Sequence, residues 1–117
     1  MTYKEKVDYL KSYKDKYNYW VYLNQRIEGV KGITYQELPK GEGKTINDYL
    51  YEKEKLEEEM NEIRKTIDSV KDERCKFVLK HKFIHFNSLE ETAEIMQYSL
   101  RQTQRFYKVG VNSIKKL

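Results

Sequence analysis

Apolar side chains recur at spacings of three and four along most of the chain, which predicts an all-α protein. The longest repeat lies between residues 46 and 71 and forms a heptad seam, whose members are Ile46, Tyr49, Lys53, Leu56, Met60, Ile63, Ile67 and Val70. The seam must face an apolar partner, either the first helix of the same chain, folded back as an antiparallel hairpin, or a second copy. We predict that it serves self-association, as a homodimer, with Lys53 setting register or oligomeric state.

The heptad helix follows a first predicted helix and a loop, and together they form a helical arm over residues 1–71. Thr2 and Glu5 have the spacing of a capping box, so the first helix should cover residues 2–28, and Gly29 should end it. Residues 29–45 hold four of the five glycines and the only proline, which predicts a long loop. Thr45 is placed to cap the heptad helix.

Residues 72–117 have the pattern of a three-helix unit that contains a helix-turn-helix. The first helix should begin at Asp72 or Glu73 and end near residue 85. Ser88 should start the second helix and Ser99 the third, over residues 100–116, because each is followed three residues later by Glu91 or Gln102. The last helix opens with Arg and Gln side chains, which can make two hydrogen bonds to a guanine or adenine edge.

The charge distribution favours a nucleic-acid partner. The net charge of +4 divides into +3 over residues 1–45, −4 over residues 46–74 and +5 over residues 75–117. The positive charge is thus densest on the predicted helix-turn-helix, where neutralisation of phosphates would favour binding to DNA. The acidic heptad helix is better suited to assembly than to DNA.

Candidate catalytic or metal chemistry is sparse. His81 and His85 lie one helical turn apart, but no third ligand is evident, and we predict no metal and no cofactor. No nucleophile, base and acid set stands out, so we predict that the chain is not an enzyme. Cys75, the only cysteine, indicates a reducing compartment. No apolar run is long enough to cross a membrane, and we expect a cytoplasmic location.

Residues 74–117 resemble region four of bacterial sigma factors, the domain that reads promoters. The residues that carry the resemblance are Leu89, Glu90, Glu91, Ala93, Ser99, Arg105, Ile114 and Leu117. The layout of the whole chain is similar to that of the RinA and ArpU late-gene activators of phages and prophages. The resemblance implies base contacts by Leu100, Arg101, Gln104 and Arg105, and phosphate contacts by Ser88, Ser99, Gln102 and Lys108.

The function expected from this resemblance is sequence-specific regulation of phage or prophage transcription in a bacterial host cell, with a possible contact to host RNA polymerase. Two alternatives remain open. A small terminase subunit, which packages phage DNA, also joins a helix-turn-helix to an oligomerising segment. An adaptor would bind RNA polymerase and a second protein, and would bind no DNA alone at physiological salt.

Overall fold

The computed structural model describes residues 1–32 and 45–115, and every regular element within them is a helix. The elements are α1 (Tyr3–Gly32), α2 (Ile46–Asp68), α3 (Glu73–Leu79), α4 (Leu89–Met96) and α5 (Leu100–Ser113). A π-helical turn, Lys80–Ile84, continues α3. The predicted all-α class is confirmed, with a long helical hairpin followed by a three-helix unit.

The predicted capping residue gave the correct start of α2, whereas the predicted terminating glycine did not give the end of α1. Thr45 accepts a hydrogen bond from the backbone N–H of Asp48, and the Asp48 carboxylate accepts one from the N–H of Thr45, so α2 begins as predicted. The prediction that Gly29 ends α1 is wrong, because α1 continues to Gly32 with Gly29 in a helical backbone. The predicted loop 29–45 falls mostly on residues 33–44, outside the described residues.

The heptad seam of α2 lies against α1, and the two helices are antiparallel. Two cross-helix contacts fix this sense: the hydroxyl oxygens of Tyr9 and Thr66 lie 3.3 Å apart, and the Trp20 indole donates to Glu57 over 2.9 Å. The fully buried seam residues are Tyr49, Met60, Ile63, Ile67 and Val70, whereas Ile46, Lys53 and Leu56 are half-buried.

This packing bears on the predicted homodimer. Of the two partners that the spacing allowed, the structure shows the first, the hairpin within one chain. The seam that we expected to join two copies is therefore already covered, and a second copy would have to displace α1 or dock elsewhere. Within this hairpin the Lys53 ammonium group lies 5.9 Å from the centre of the Trp20 ring and 4.0 Å from Glu57, and its role in register or oligomeric state stays a prediction.

A continuous core joins the hairpin to the three-helix unit. Leu10 and Tyr13 of α1, with Met60 and Ile63 of α2, belong to one buried cluster with side chains of α3 and α5. The remaining buried members of that cluster are Ile67, Val70, Cys75, Val78, Leu79, Phe83, Phe106, Val111 and Ile114. The beginning of α1 is thus part of the support for α5.

Gly110 allows α5 to approach α3 closely. A Cβ atom at this position would lie 3.1 Å from two side-chain carbons of Leu79 and 3.3 Å from the Cβ of Cys75. Both neighbours are buried, so they have little room to move. This close approach explains why the helix tolerates a residue of low helix propensity.

Phe86 fixes the turn between the π-helical segment and α4. Its backbone has a φ of 60°, in the left-handed region that disfavours a side chain. Its ring centre lies 6.2 Å from that of Tyr13 and 5.4 Å from that of Tyr17, and the Lys14 ammonium group lies 5.8 Å away. These contacts with α1 stabilise a strained turn that glycine would adopt more easily.

Candidate nucleic-acid interface

Local hydrogen bonds define the helix-turn-helix formed by α4 and α5. Ser88 accepts from the N–H of Glu91 over 3.0 Å, and the Glu91 carboxylate accepts from the N–H of Ser88 over 3.5 Å. Gln97 ends α4 in the left-handed conformation, with φ 60°. Ser99 then caps α5 by accepting from the N–H of Gln102 over 3.1 Å. The turn between α4 and α5 therefore takes three residues, 97–99.

The last helix has a buried and an exposed face. Its buried face carries Thr103, Phe106, Gly110 and Val111, which contact the rest of the core. All four predicted base-contacting residues lie on the exposed face, and they follow the helical spacing that brings side chains together: Leu100, Arg101, Gln104 and Arg105. The helix thus presents two guanidinium groups and an amide to solvent from a rigid element.

Three of these four side chains, all except Leu100, line a shallow groove, which we call the recognition groove. It is formed by Arg101, Gln104, Arg105 and Lys108 of α5, with Leu89 of α4 and Tyr3 of α1 at its edges. Three of the lining side chains are cations, and none of those within the described residues is Asp or Glu. The groove is therefore electropositive and rich in hydrogen-bond donors.

The predicted phosphate-contacting residues do not all lie together. Lys108 lines the recognition groove, and Ser99 and Gln102 are exposed at the start of α5. Ser88 is half-buried at the start of α4 and borders a different groove. The Ser88 and Ser99 hydroxyl oxygens accept capping hydrogen bonds, but each hydroxyl can still donate its proton to a phosphate oxygen.

Arg74 is a positioning residue that the sequence patterns did not predict. Its guanidinium carbon lies 5.2 Å from the centre of the Phe106 ring, and its Nε atom lies 3.6 Å from an Asp72 carboxylate oxygen. A hydrogen bond with Tyr98, followed by the charge of Asp72, raises the pKa of Arg74. Arg74 therefore ties the start of α3 to the turn and to α5.

Lys6 holds the other end of α5, and no sequence pattern could predict this contact across 106 residues. Its ammonium group donates to the backbone carbonyl of Asn112 over 3.0 Å. A cation at this position satisfies a terminal carbonyl and complements the negative end of the helix dipole. Nearby, burial and, to a lesser extent, Tyr3 raise the pKa of Tyr107. The start of α1 therefore lies beside the recognition groove.

The two histidines form a pair at the edge of the core. The ring centres of His81 and His85 lie 5.1 Å apart, and the Asn87 amide nitrogen lies 3.0 Å from Nδ1 of His81. Burial, and then the neighbouring charge of His85, lowers the pKa of His81. Over residues 1–32 and 45–115, no group of three or more His, Cys, Asp or Glu residues is placed to hold a metal ion.

Comparisons with known proteins found no match to a family model, to a curated protein or to a solved structure. The resemblance to region four of sigma factors therefore stays a prediction based on the residues that carry it. In the described part of the chain, none of the helices combines the length and the apolar character needed to cross a membrane.

Proposed function

We propose that this chain is a sequence-specific DNA-binding protein that regulates transcription of phage or prophage genes. In this proposal α5 enters the major groove, and Arg101, Gln104 and Arg105 contact base edges while Leu100 makes an apolar contact. The observation that carries the proposal is the division of α5 into a buried face and an exposed face rich in Arg and Gln. Regulation of phage genes rests on the resemblance to sigma region four and the late-gene activators.

The support around α5 suits such a role. Base-reading side chains must be held within small tolerances, which favours a helix whose other face is locked by packing. Here α5 is held by the core, by Arg74 at the Phe106 ring in its middle and by Lys6 at its end. The cationic recognition groove adds attraction to the phosphates that flank a major groove.

Arg105→Ala tests the proposed base contact. Fluorescence anisotropy would measure binding to duplex DNA from the region that flanks the gene of this protein. We expect a loss of about 1–3 kcal/mol on the cognate site, because a bidentate contact to a base is removed. That loss corresponds to a decrease in affinity of roughly 5- to 150-fold.

Lys55→Ala is the matched control, because Lys55 is an exposed cation of α2 in the acidic part of the hairpin. It should leave affinity and sequence preference unchanged, whereas Arg105→Ala should weaken discrimination at one position of the site. Equal binding by the wild type and by Arg105→Ala would contradict the assignment of α5 as the reading helix.

A homodimer remains our proposal for the assembly, but α1 covers the heptad seam. The paired copies must then use another surface or exchange α1 between them. Light scattering would give the solution mass with and without DNA. A dimer that forms a discrete DNA complex supports the regulator, whereas a ring-sized oligomer would favour the packaging function of a small terminase subunit.

A second candidate function, the polymerase-binding adaptor, is favoured by one observation at the far end of the hairpin, the end away from the three-helix unit. Tyr19, Tyr22 and Tyr51 expose 41%, 39% and 69% of their surfaces there. Exposed aromatic side chains are frequent anchors of protein interfaces. If Tyr51→Ser abolishes binding to purified host RNA polymerase and the wild type binds no DNA at physiological salt, the adaptor replaces the regulator.

A further inference from the structure

A second groove lies beside the helix-turn-helix, and sequence patterns assigned it no role. We call it the lysine groove, because it is lined by Lys11 and Lys14 of α1 and by Lys82 of the π-helical turn. Its floor includes Phe86, and Ser88 lies at its border with α4. Three lysines from two separate elements thus line one concave surface.

The three lysines are available to an external anion. Within the described residues, no carboxylate lies within 4.0 Å of their ammonium groups. Nearby lysines differ, since Lys80 pairs with Asp68 at 2.7 Å and Lys76 with Glu73 at 3.3 Å. In this part of the chain the lysines of the groove are therefore not neutralised by a carboxylate, and Lys14 alone has a cation–π contact, with the Phe86 ring.

Two carboxylates also line the lysine groove, Asp15 and Glu91. Glu91 is directed to the backbone N–H of Ser88, where it completes the cap of α4. The three lysines still exceed the two acids, and Lys11 and Lys14 are exposed. An anion that reaches the open side of the groove would therefore meet a net positive surface.

The lysine groove and the recognition groove are lined by consecutive residues at the start of α4. Ser88 borders the lysine groove, and the next residue, Leu89, borders the recognition groove. In helix-turn-helix complexes the first helix crosses the DNA backbone while the second lies in the major groove. A strand that passes the start of α4 would therefore continue from one groove towards the other.

We propose that Lys11, Lys14 and Lys82 bind phosphates of the DNA strand that passes the start of α4. This inference rests on the proposed function and extends the DNA interface to α1, beyond the helix-turn-helix. The contacts are independent of sequence, so they add affinity and orient the protein on the duplex rather than read bases. The arm is then both a support for α5 and a part of the DNA-binding surface.

The double variant Lys11→Gln/Lys82→Gln tests the proposal without removing Lys14, which contacts the Phe86 ring. Affinity for a mixed-sequence duplex of about two helical turns, roughly 21 base pairs, would be measured from about 50 to 200 mM KCl. Each lost phosphate contact should lower the slope of log affinity against log salt by about one. The double variant removes two such contacts, so we expect its slope to be smaller than that of the wild type by about two.

Two further variants serve as controls, and thermal melting followed by circular dichroism checks that all of them fold. Lys11→Arg/Lys82→Arg preserves both charges and should keep the slope of the wild type. Lys55→Gln removes an exposed charge of α2 outside both grooves and should also keep it. If only Lys11→Gln/Lys82→Gln lowers the slope of log affinity against log salt, the result supports the lysine groove as a phosphate site.

The remaining outcomes separate the two proposals. If Lys11→Gln/Lys82→Gln keeps the wild-type slope while Arg105→Ala weakens binding, the proposal that the lysine groove binds phosphate is overturned. The DNA-binding function then stands. If the wild-type protein binds no duplex even at the lowest salt, the DNA-binding function itself is overturned, and the lysine groove with it.

Discussion

The two ends of the hairpin differ in what α1 packs against. At the near end, Leu10 and Tyr13 lie in the core that also holds α3 and α5. At the far end, Leu23 and Ile27 share a small separate cluster with Tyr49 of α2. The same helix therefore stabilises the proposed DNA-reading unit over its first half, and only its own hairpin over its second half.

The surfaces of the two ends differ in the same way. The near end borders two grooves that carry Lys and Arg side chains, whereas the far end exposes Tyr19, Tyr22 and Tyr51, which line neither groove. One helical arm therefore supports a cationic surface, the proposed DNA interface, at one end and an exposed aromatic surface at the other. The difference between the ends also makes clear which substitutions should affect α5 and which should not.

The largest difference is expected between Leu10→Ala and Leu23→Ala. Both leucines lie on α1 and both are 0% exposed, so the chemical change is the same. Leu10→Ala should lower the free energy of unfolding by about 4–5 kcal/mol, because its large core cannot collapse around the cavity. Leu23→Ala should lower it by about 2–3 kcal/mol, since the small cluster at the hairpin end relaxes more easily.

Urea denaturation of both variants would measure this difference, with DNA affinity of the folded protein as the second readout. Only Leu10→Ala should weaken binding, because only its neighbours extend to α5. Equal losses of stability and equal DNA affinity in the two variants would show that the hairpin behaves as one uniform unit.

Substitutions of two glycines, one at the far end of the hairpin and one in α5, give the next largest effects. They should change the free energy of unfolding in opposite directions. Gly29→Ala should stabilise the protein by about 0.5–1 kcal/mol, because a Cβ atom there meets nothing within 4 Å and alanine favours a helix. Gly110→Val should destabilise it by about 1–3 kcal/mol, because the added carbons overpack Leu79 and Cys75. Melting curves would measure both, and stabilisation by Gly110→Val would contradict the close approach of α3 and α5.

An effect of similar size concerns the turn at Phe86, where alanine and glycine should reverse their usual order of stability. Both substitutions remove the ring contacts with Tyr13 and Tyr17. Only glycine also removes the strain of a side chain on a left-handed backbone, which has a φ of 60° here. We expect Phe86→Gly to be more stable than Phe86→Ala by about 1 kcal/mol. Denaturant titration of the pair measures the strain itself, and the opposite order would mean that the turn relaxes.

Local sequence signals predicted most of the helical layout. The hydroxyl caps at Thr45, Ser88 and Ser99 and the heptad spacing depend on residues a few positions apart, and these fixed geometries determine where helices begin. The end of α1 was mispredicted, because Gly29 ends a helix only where the chain adopts a left-handed turn, and here it does not.

Contacts across long sequence separations could not be predicted in this way. Periodicity showed that the α2 seam needs a partner, but the choice between α1 and a second copy depends on tertiary packing. The exposed face of α5 was predicted from local pattern and resemblance together. Arg74, Lys6 and the lysine groove depend on how α1 and α3 pack, which no spacing along the chain encodes.

Selection from a pool of random duplexes is the experiment that tests whether α5 reads a DNA sequence. Wild-type protein should enrich one sequence motif after repeated rounds, and Arg105→Ala, if folded, should lose the preference at one position of that motif while keeping the rest. If the folded wild-type protein enriches no motif, the result contradicts the proposal that α5 reads a DNA sequence. It would favour the adaptor, in which the exposed tyrosines at the far end of the hairpin bind a protein.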